Sequence, residues 1–154
     1  MRHHREVPVP PVARRPEAEE PDGSETCPGC GAVLAALPDV EPAHPGASAS
    51  CARLFEVTVR GLREEAAADP ATAPLVRLAD AAYDAQHSVA TDPDRLDAAL
   101  DQLAERLGTR PAVANSVPEL WRTTIADAAA DLDVIDLRVL VESWAREVQE
   151  DWRA

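Results

Sequence analysis

The sequence predicts an all-α fold, a small helical bundle with an N-terminal metal-binding knuckle and loop. Apolar residues recur every three or four positions in several stretches after residue 48, which is the spacing of one helix face. Residues typical of helix starts and ends flank these stretches. Near the N-terminus, Cys27-Pro28-Gly29-Cys30-Gly31 offers two thiolates two residues apart, and its glycines permit a tight turn around a metal ion.

Composition and charge narrow the classes of function. Hydrophobic residues make up 45% of the 154 residues but aromatics only 3%, so the core is built mainly from Leu, Val and Ala, and a structural metal would supplement it. The net charge of −13 argues against binding to nucleic acid or to an anionic membrane. No run of about eighteen apolar residues is present, so we expect no transmembrane helix, and the N-terminal residues lack the apolar stretch typical of a signal peptide. Three cysteines suit metal ligation in a reducing compartment. We therefore expect a cytoplasmic protein.

The N-terminal part of the chain shows no helical period. Residues 1–23 are rich in Pro, Arg and Glu, which predicts a disordered tail ahead of a zinc-binding helical domain over residues 24–154. The apolar segment 32–37 follows the knuckle and fits either a brief strand or a helical turn. Residues 38–50, which prolines interrupt, and residues 110–120 are predicted loops.

Three helices are predicted in the middle of the chain. The first begins near Ser50, with Ser48 or Ser50 as its N-cap. The second begins at Ala73-Pro74, where proline suits the first turn, and runs towards His87. The third spans residues 92–108, between an Asp-Pro start and a glycine that ends it.

Two further helices are predicted near the C-terminus. Thr124 and Asp127 have the spacing of a capping box, which predicts a short helical turn after them. Asp133 and Asp136 repeat that spacing at the start of the last helix. Its apolar stripe keeps helical register as far as Trp152.

The knuckle supplies half of a tetrahedral zinc site, so the other ligands must come from elsewhere in the chain. Cys27 and Cys30 could instead be a redox pair or two free thiols, but a thioredoxin-type motif would follow a strand in a βαβ unit, and none is predicted. Cys51 lies in the first turn of a predicted helix, where the N–H groups and the helix dipole stabilise a thiolate. The fourth ligand is either His87, at the end of the second helix, or His44, in the loop before Cys51.

The leading functional hypothesis is a small zinc protein whose metal is structural. Its site would be Cys3His, which leaves no open coordination position. Such a protein would act as a binding or accessory module for an unknown protein or small molecule. The residues that would hold the zinc are Cys27, Cys30, Cys51 and His87.

Two alternatives remain open at this point. A zinc enzyme would keep an open coordination position and use His44 or His87 beside a bound water. Its acid–base candidates would be Asp80, Tyr83 or Asp84, which precede His87 by about one or two helical turns. One of these side chains could instead hydrogen-bond the His87 ring and fix its tautomer. The other alternative is a thiol-based redox sensor that releases zinc on oxidation.

Five segments in order carry a resemblance to a known family. They are Cys-Pro-Gly-Cys-Gly-Ala-Val at 27–33, His44 followed by Ser-Ala-Ser-Cys at 48–51, Asp-Ala-Ala-Tyr-Asp-Ala-Gln-His at 80–87, Trp121 before Thr-Ile-Ala-Asp at 124–127, and Val-Glu-Ser-Trp-Ala at 141–145. In these segments the chain resembles, over residues 27–153, a family of small bacterial proteins catalogued only as a domain of unknown function. It departs from the family pattern at Ser50, Ala52 and Ser88, where the family has Gly, Trp and Pro. The resemblance implies a metal-binding helical protein and no particular activity.

Overall fold

Five α-helices and one two-stranded hairpin make up the regular structure of residues 23–110 and 117–153, which the computed structural model describes. This architecture confirms the predicted mostly helical fold. A single 3₁₀ turn at Pro70–Thr72 separates the first two helices. The elements are β1 Ser24–Thr26, β2 Val33–Ala35, α1 Ala49–Ala68, α2 Ala73–Gln86, α3 Pro93–Leu107, α4 Ile125–Ala130 and α5 Leu137–Arg153.

Parts of two sequence predictions cannot be compared with this structure. The predicted tail, except for Gly23, lies outside the described residues, and so does the stretch 111–116 of the second predicted loop. Within the described residues, no helix has the length and apolar character needed to cross a membrane.

The knuckle is the turn of the β1–β2 hairpin. The two strands pair antiparallel, with Thr26 opposite Val33. Just inside the turn, the Cys27 amide donates to the Ala32 carbonyl at 2.8 Å, and the Gly31 amide donates to the Cys27 carbonyl at 2.9 Å. The apolar segment after the knuckle is therefore a strand, and both knuckle cysteines are held at one end of a short ladder.

Helix α2 lies at the centre of the helical packing. It contacts α1, α3 and α5, and buried side chains are found all around its circumference. Many of these side chains are alanines, whose small size lets the neighbouring helices approach closely. The buried residues of α2 are Leu75, Leu78, Ala79, Ala81, Ala82, Tyr83, Ala85 and Gln86.

Two tryptophans of α5 fasten this helix to the last turn of α2. The Trp144 ring is fully buried, and its Nε1 donates to Gln86 Oε1 at 3.2 Å. The Trp152 Nε1 donates to the carbonyl of Ala85 at 3.0 Å. Gln86 also donates through Nε2 to the Thr123 carbonyl at 2.7 Å. The buried polar groups at the end of α2 are thus paired, which fixes the position of that helix end.

Two side chains accept hydrogen bonds from the first turn of α1, one from the residue just before the helix and one from β1. Ser48 is the N-cap, since its Oγ accepts a hydrogen bond from the Cys51 amide at 3.1 Å. The Glu25 carboxylate of β1 accepts from both Oγ and the amide of Ser50, at 2.6 and 3.0 Å. These bonds, the side-chain bond first, lower the pKa of Glu25. An acidic side chain at the helix N-terminus therefore ties the hairpin to α1.

The two C-terminal helix starts differ in how well the sequence predicts them. The Thr124–Asp127 capping box is confirmed, with reciprocal bonds between side chain and backbone. For α5, the predicted pairing of Asp133 with Asp136 is not what caps the helix. Asp136 by itself is the N-cap, because its Oδ1 accepts a hydrogen bond from the Arg138 amide at 2.7 Å. The exposed Asp133 lies three residues before that cap, outside the helix.

Removing the α5 cap should destabilise the protein. We expect Asp136→Ala to lower the free energy of unfolding by about 1 kcal/mol, the usual cost of a lost N-cap. The matched control Asp133→Ala removes an exposed carboxylate and should change it by less than about 0.5 kcal/mol. Urea unfolding of both variants measures the difference. Equal losses would contradict the assignment of Asp136 as the cap.

Candidate metal centre

Cys27, Cys30, Cys51 and His87 form one buried cluster. Their ligand atoms all lie within 4.8 Å of one another. The knuckle contributes two of them, the first turn of α1 contributes Cys51, and the residue that ends α2 contributes His87. Cys51 and His87 are completely buried, Cys27 is 1% exposed and Cys30 is 7% exposed. The structure thus brings together all four residues that the sequence nominates.

Two distances between donor atoms of the cluster match those between ligands of a tetrahedral ion. Cys30 Sγ lies 3.9 Å from Cys51 Sγ, and His87 Nε2 lies 3.5 Å from Cys51 Sγ. Zinc bonds of about 2.3 Å to sulfur and about 2.0 Å to nitrogen place tetrahedral ligands roughly 3.8 Å apart for two sulfurs and roughly 3.5 Å apart for sulfur and nitrogen. Three sulfurs and one imidazole are also a donor set that zinc prefers. The residues therefore fit a zinc ion.

The His87 ring is oriented by the backbone of its own helix. His87 Nδ1 lies 2.7 Å from the Tyr83 carbonyl oxygen. Because a carbonyl can only accept, Nδ1 carries the hydrogen, and the lone pair of Nε2 faces the sulfurs. The sequence left open whether a side chain of Asp80, Tyr83 or Asp84 could fix this tautomer. The partner is instead the main-chain carbonyl of Tyr83.

The Tyr83 side chain instead supports a sulfur. Its hydroxyl donates to Cys51 Sγ at 3.2 Å. Its ring stacks between Phe55, at a centroid distance of 4.1 Å, and His87, at 3.9 Å. Burial, followed by the bond to Cys51, raises the pKa of Tyr83, so the phenol keeps its proton and remains a donor. Tyr83 therefore contributes its carbonyl to one member of the cluster and its hydroxyl to another.

His44 lies near the cluster, but both of its ring nitrogens make hydrogen bonds to other residues. Its Nδ1 accepts from the Gly46 amide at 3.0 Å, so that nitrogen carries no hydrogen. Its Nε2 therefore carries the hydrogen and donates to Asp84 Oδ1 at 2.8 Å. Both ring nitrogens are used to fasten the loop before α1 to α2. The choice that the sequence left open is decided in favour of His87 as the histidine of the cluster.

The other candidate acid–base groups are also engaged. Asp80 accepts two hydrogen bonds from Arg63, at 2.7 and 3.0 Å. Asp84 accepts a hydrogen bond from His44, and the Tyr83 hydroxyl donates to the Cys51 sulfur. Asp80, Tyr83 and Asp84 thus each have a structural partner.

The three thiols influence one another strongly. Hydrogen bonds from the Cys30 and Cys51 thiols lower the pKa of Cys27. The bonds that Cys30 donates to Cys27 and Cys51 raise its own pKa. The pKa of Cys51 is raised to about 11, first by its bond to Cys27. Packed this closely, each thiolate disfavours ionisation of the next sulfur, because like charges repel, and a cation among them would favour all three thiolates.

Two glycines of the knuckle serve different purposes. Gly31 has a φ of +83°, as the turn was expected to require. Gly29 is needed for close approach, because a Cβ there would lie 2.5 Å from His87 Cδ2. The Gly29 carbonyl accepts a hydrogen bond from Trp121 Nε1 at 2.9 Å. Sequence reasoning missed this contact, since no local pattern links residues so far apart in the chain.

Comparison with known proteins identifies the family. The sequence model of a family of unknown function, DUF5946, matches residues 25–110, a span that includes all four residues of the cluster. Neither the curated proteins nor the solved structures give a significant match. The match covers more than half of the 154 residues, and the chain therefore belongs to the family DUF5946.

Proposed function

We propose that this protein binds one zinc ion in a structural Cys3His site and acts as a binding or accessory module. The ligands are Cys27, Cys30, Cys51 and His87. The observation that carries the proposal is the convergence of their four buried donor atoms within 4.8 Å. Four protein ligands complete a tetrahedron, which is typical of structural zinc rather than of catalytic zinc with an open position.

The hairpin is the part of the fold that most needs the ion. Each of its strands has three residues, and an isolated two-stranded hairpin is marginally stable in water. Other contacts that join the hairpin to the rest of the protein include two hydrogen bonds, one between Glu25 and Ser50 and one from Trp121 to the Gly29 carbonyl. An ion shared by the knuckle, α1 and α2 adds its binding free energy to this weak junction.

A catalytic role for the same ion has less support. Three thiolates donate charge to a zinc ion and so weaken it as a Lewis acid. The fourth position is filled by His87, and the nearby Asp80, Tyr83 and Asp84 are held in structural contacts. A zinc ion with four protein ligands has no position for a substrate. The protein would then act through its surface, by binding a partner.

The net charge and the chemistry of the thiols support a proposed cellular compartment and a class of partner. A reducing cytoplasm keeps three thiols available as ligands. The net charge of −13 disfavours nucleic acid and anionic membranes. The partner is then a protein or a small molecule.

Removing the metal should weaken the fold. We expect one zinc per purified chain, and we expect chelation to lower the unfolding temperature. At a free zinc concentration about 100-fold above Kd, the ion contributes about 2.7 kcal/mol to stability. Hydrogen exchange should rise first in residues 24–35. Chelation that extracts zinc without changing either measurement would contradict the structural role, and a chain that takes up no zinc would contradict the proposal as a whole.

The two buried histidines provide a matched test of the ligand set. His87→Gln removes a ligand, so zinc affinity should fall by more than the roughly 10–100-fold that the loss of a supporting hydrogen bond costs. His44→Gln makes the same change at a residue whose nitrogens serve the loop, and its zinc affinity should fall less. Competition with a chromophoric chelator measures both affinities, and cobalt spectra report the donor set. A larger loss in His44→Gln would show that the ligand is misassigned.

A further inference from the structure

The geometry points to Cys30 as a modification site of this centre. A small hydroperoxide reaches Cys30 before the other ligands, and the disulfide that Cys30 then forms with Cys51 releases the metal. The inference rests on the proposed zinc site and adds to it a defined point of attack.

A groove gives access to the knuckle side of the cluster. It has a volume of about 580 Å³ and lies between the knuckle and residues 117–127. Cys27 and Cys30 line it, together with apolar residues that include Leu120 and Ala126, whereas Cys51 and His87 do not. The groove is large enough for a peroxide or a small alkylating reagent. Reagents that enter it meet the two knuckle cysteines first.

Exposure distinguishes the two cysteines that line the groove. Cys27 is 1% exposed, whereas Cys30 is 7% exposed. Since reaction of a bound thiolate requires contact with the reagent, Cys30 is attacked first.

Cys51 is protected by burial and by a hydrogen bond from Tyr83. It is completely buried, and the Tyr83 hydroxyl donates to its sulfur at 3.2 Å. A hydrogen bond to a thiolate draws electron density from the sulfur and lowers its nucleophilicity. Cys51 is therefore a poor first target, but it lies 3.9 Å from Cys30 Sγ and is within reach of a modified Cys30 after a small movement.

The oxidation proceeds in two balanced steps. The Cys30 thiolate attacks one oxygen of the hydroperoxide, an S–O bond forms as the O–O bond breaks, and an alkoxide or hydroxide leaves with the electron pair. The Cys51 thiolate then attacks the Cys30 sulfur, an S–S bond forms as the S–O bond breaks, and hydroxide leaves. The two sulfurs are oxidised and the peroxide is reduced. Two of four ligands are lost, so the ion is released.

The test uses the zinc-loaded full-length chain, with its zinc content measured on the same sample. Limiting N-ethylmaleimide or hydrogen peroxide is added, and the modified residues are mapped by fragment mass spectrometry while a zinc indicator follows release. We expect the first maleimide on Cys30, and with peroxide a Cys30–Cys51 disulfide with one zinc released per disulfide.

Two matched variants test the role of the groove without altering a ligand. Ala126→Phe places a ring in the groove and should slow modification of Cys30 about fivefold or more, because access limits the reaction. Ala67→Phe, on an exposed position of α1, should leave the rate unchanged. First modification of Cys27 or Cys51 on zinc-loaded protein, or equal rates in the two variants, would overturn this inference alone. A chain without zinc overturns the proposed function and this inference with it.

Discussion

The convergence of three sulfurs and one imidazole on a single point is the constraint on which this part of the structure depends. Cys27 and Cys30 come from a short hairpin, Cys51 from the start of α1 and His87 from the end of α2. Buried thiolates at this spacing repel one another, and a divalent cation turns that repulsion into attraction. The same four residues connect the short hairpin to α1 and to α2.

The surroundings of the cluster are built to keep these donor atoms in place. Tyr83 holds the His87 ring with its carbonyl and the Cys51 sulfur with its hydroxyl. Trp121 holds the knuckle through the Gly29 carbonyl. His44 fastens the loop before α1 to α2. Supporting contacts of this kind fix the geometry of metal ligands and are part of a metal site.

The sequence predicts those features that depend on neighbouring residues. Proline marks the start of α2 because its fixed φ suits the first helical turn, and the capping box at Thr124 marks the start of α4 through local bonds. The knuckle spacing in the same way marks two candidate metal ligands. What the sequence leaves open depends on distant contacts. The sequence favours His87 as the fourth ligand but leaves His44 open, until Gly46 and Asp84 are seen to occupy both nitrogens of His44. The contact between Trp121 and the knuckle spans 92 positions and has no local signature.

X-ray absorption at the zinc edge of the purified full-length chain tests the central claim most directly, because it measures the ligands of the ion. A closed Cys3His site predicts three sulfur neighbours at about 2.3 Å and one nitrogen at about 2.0 Å. A spectrum with fewer than three sulfurs, or with an oxygen neighbour from water, would contradict a closed structural site formed by Cys27, Cys30, Cys51 and His87.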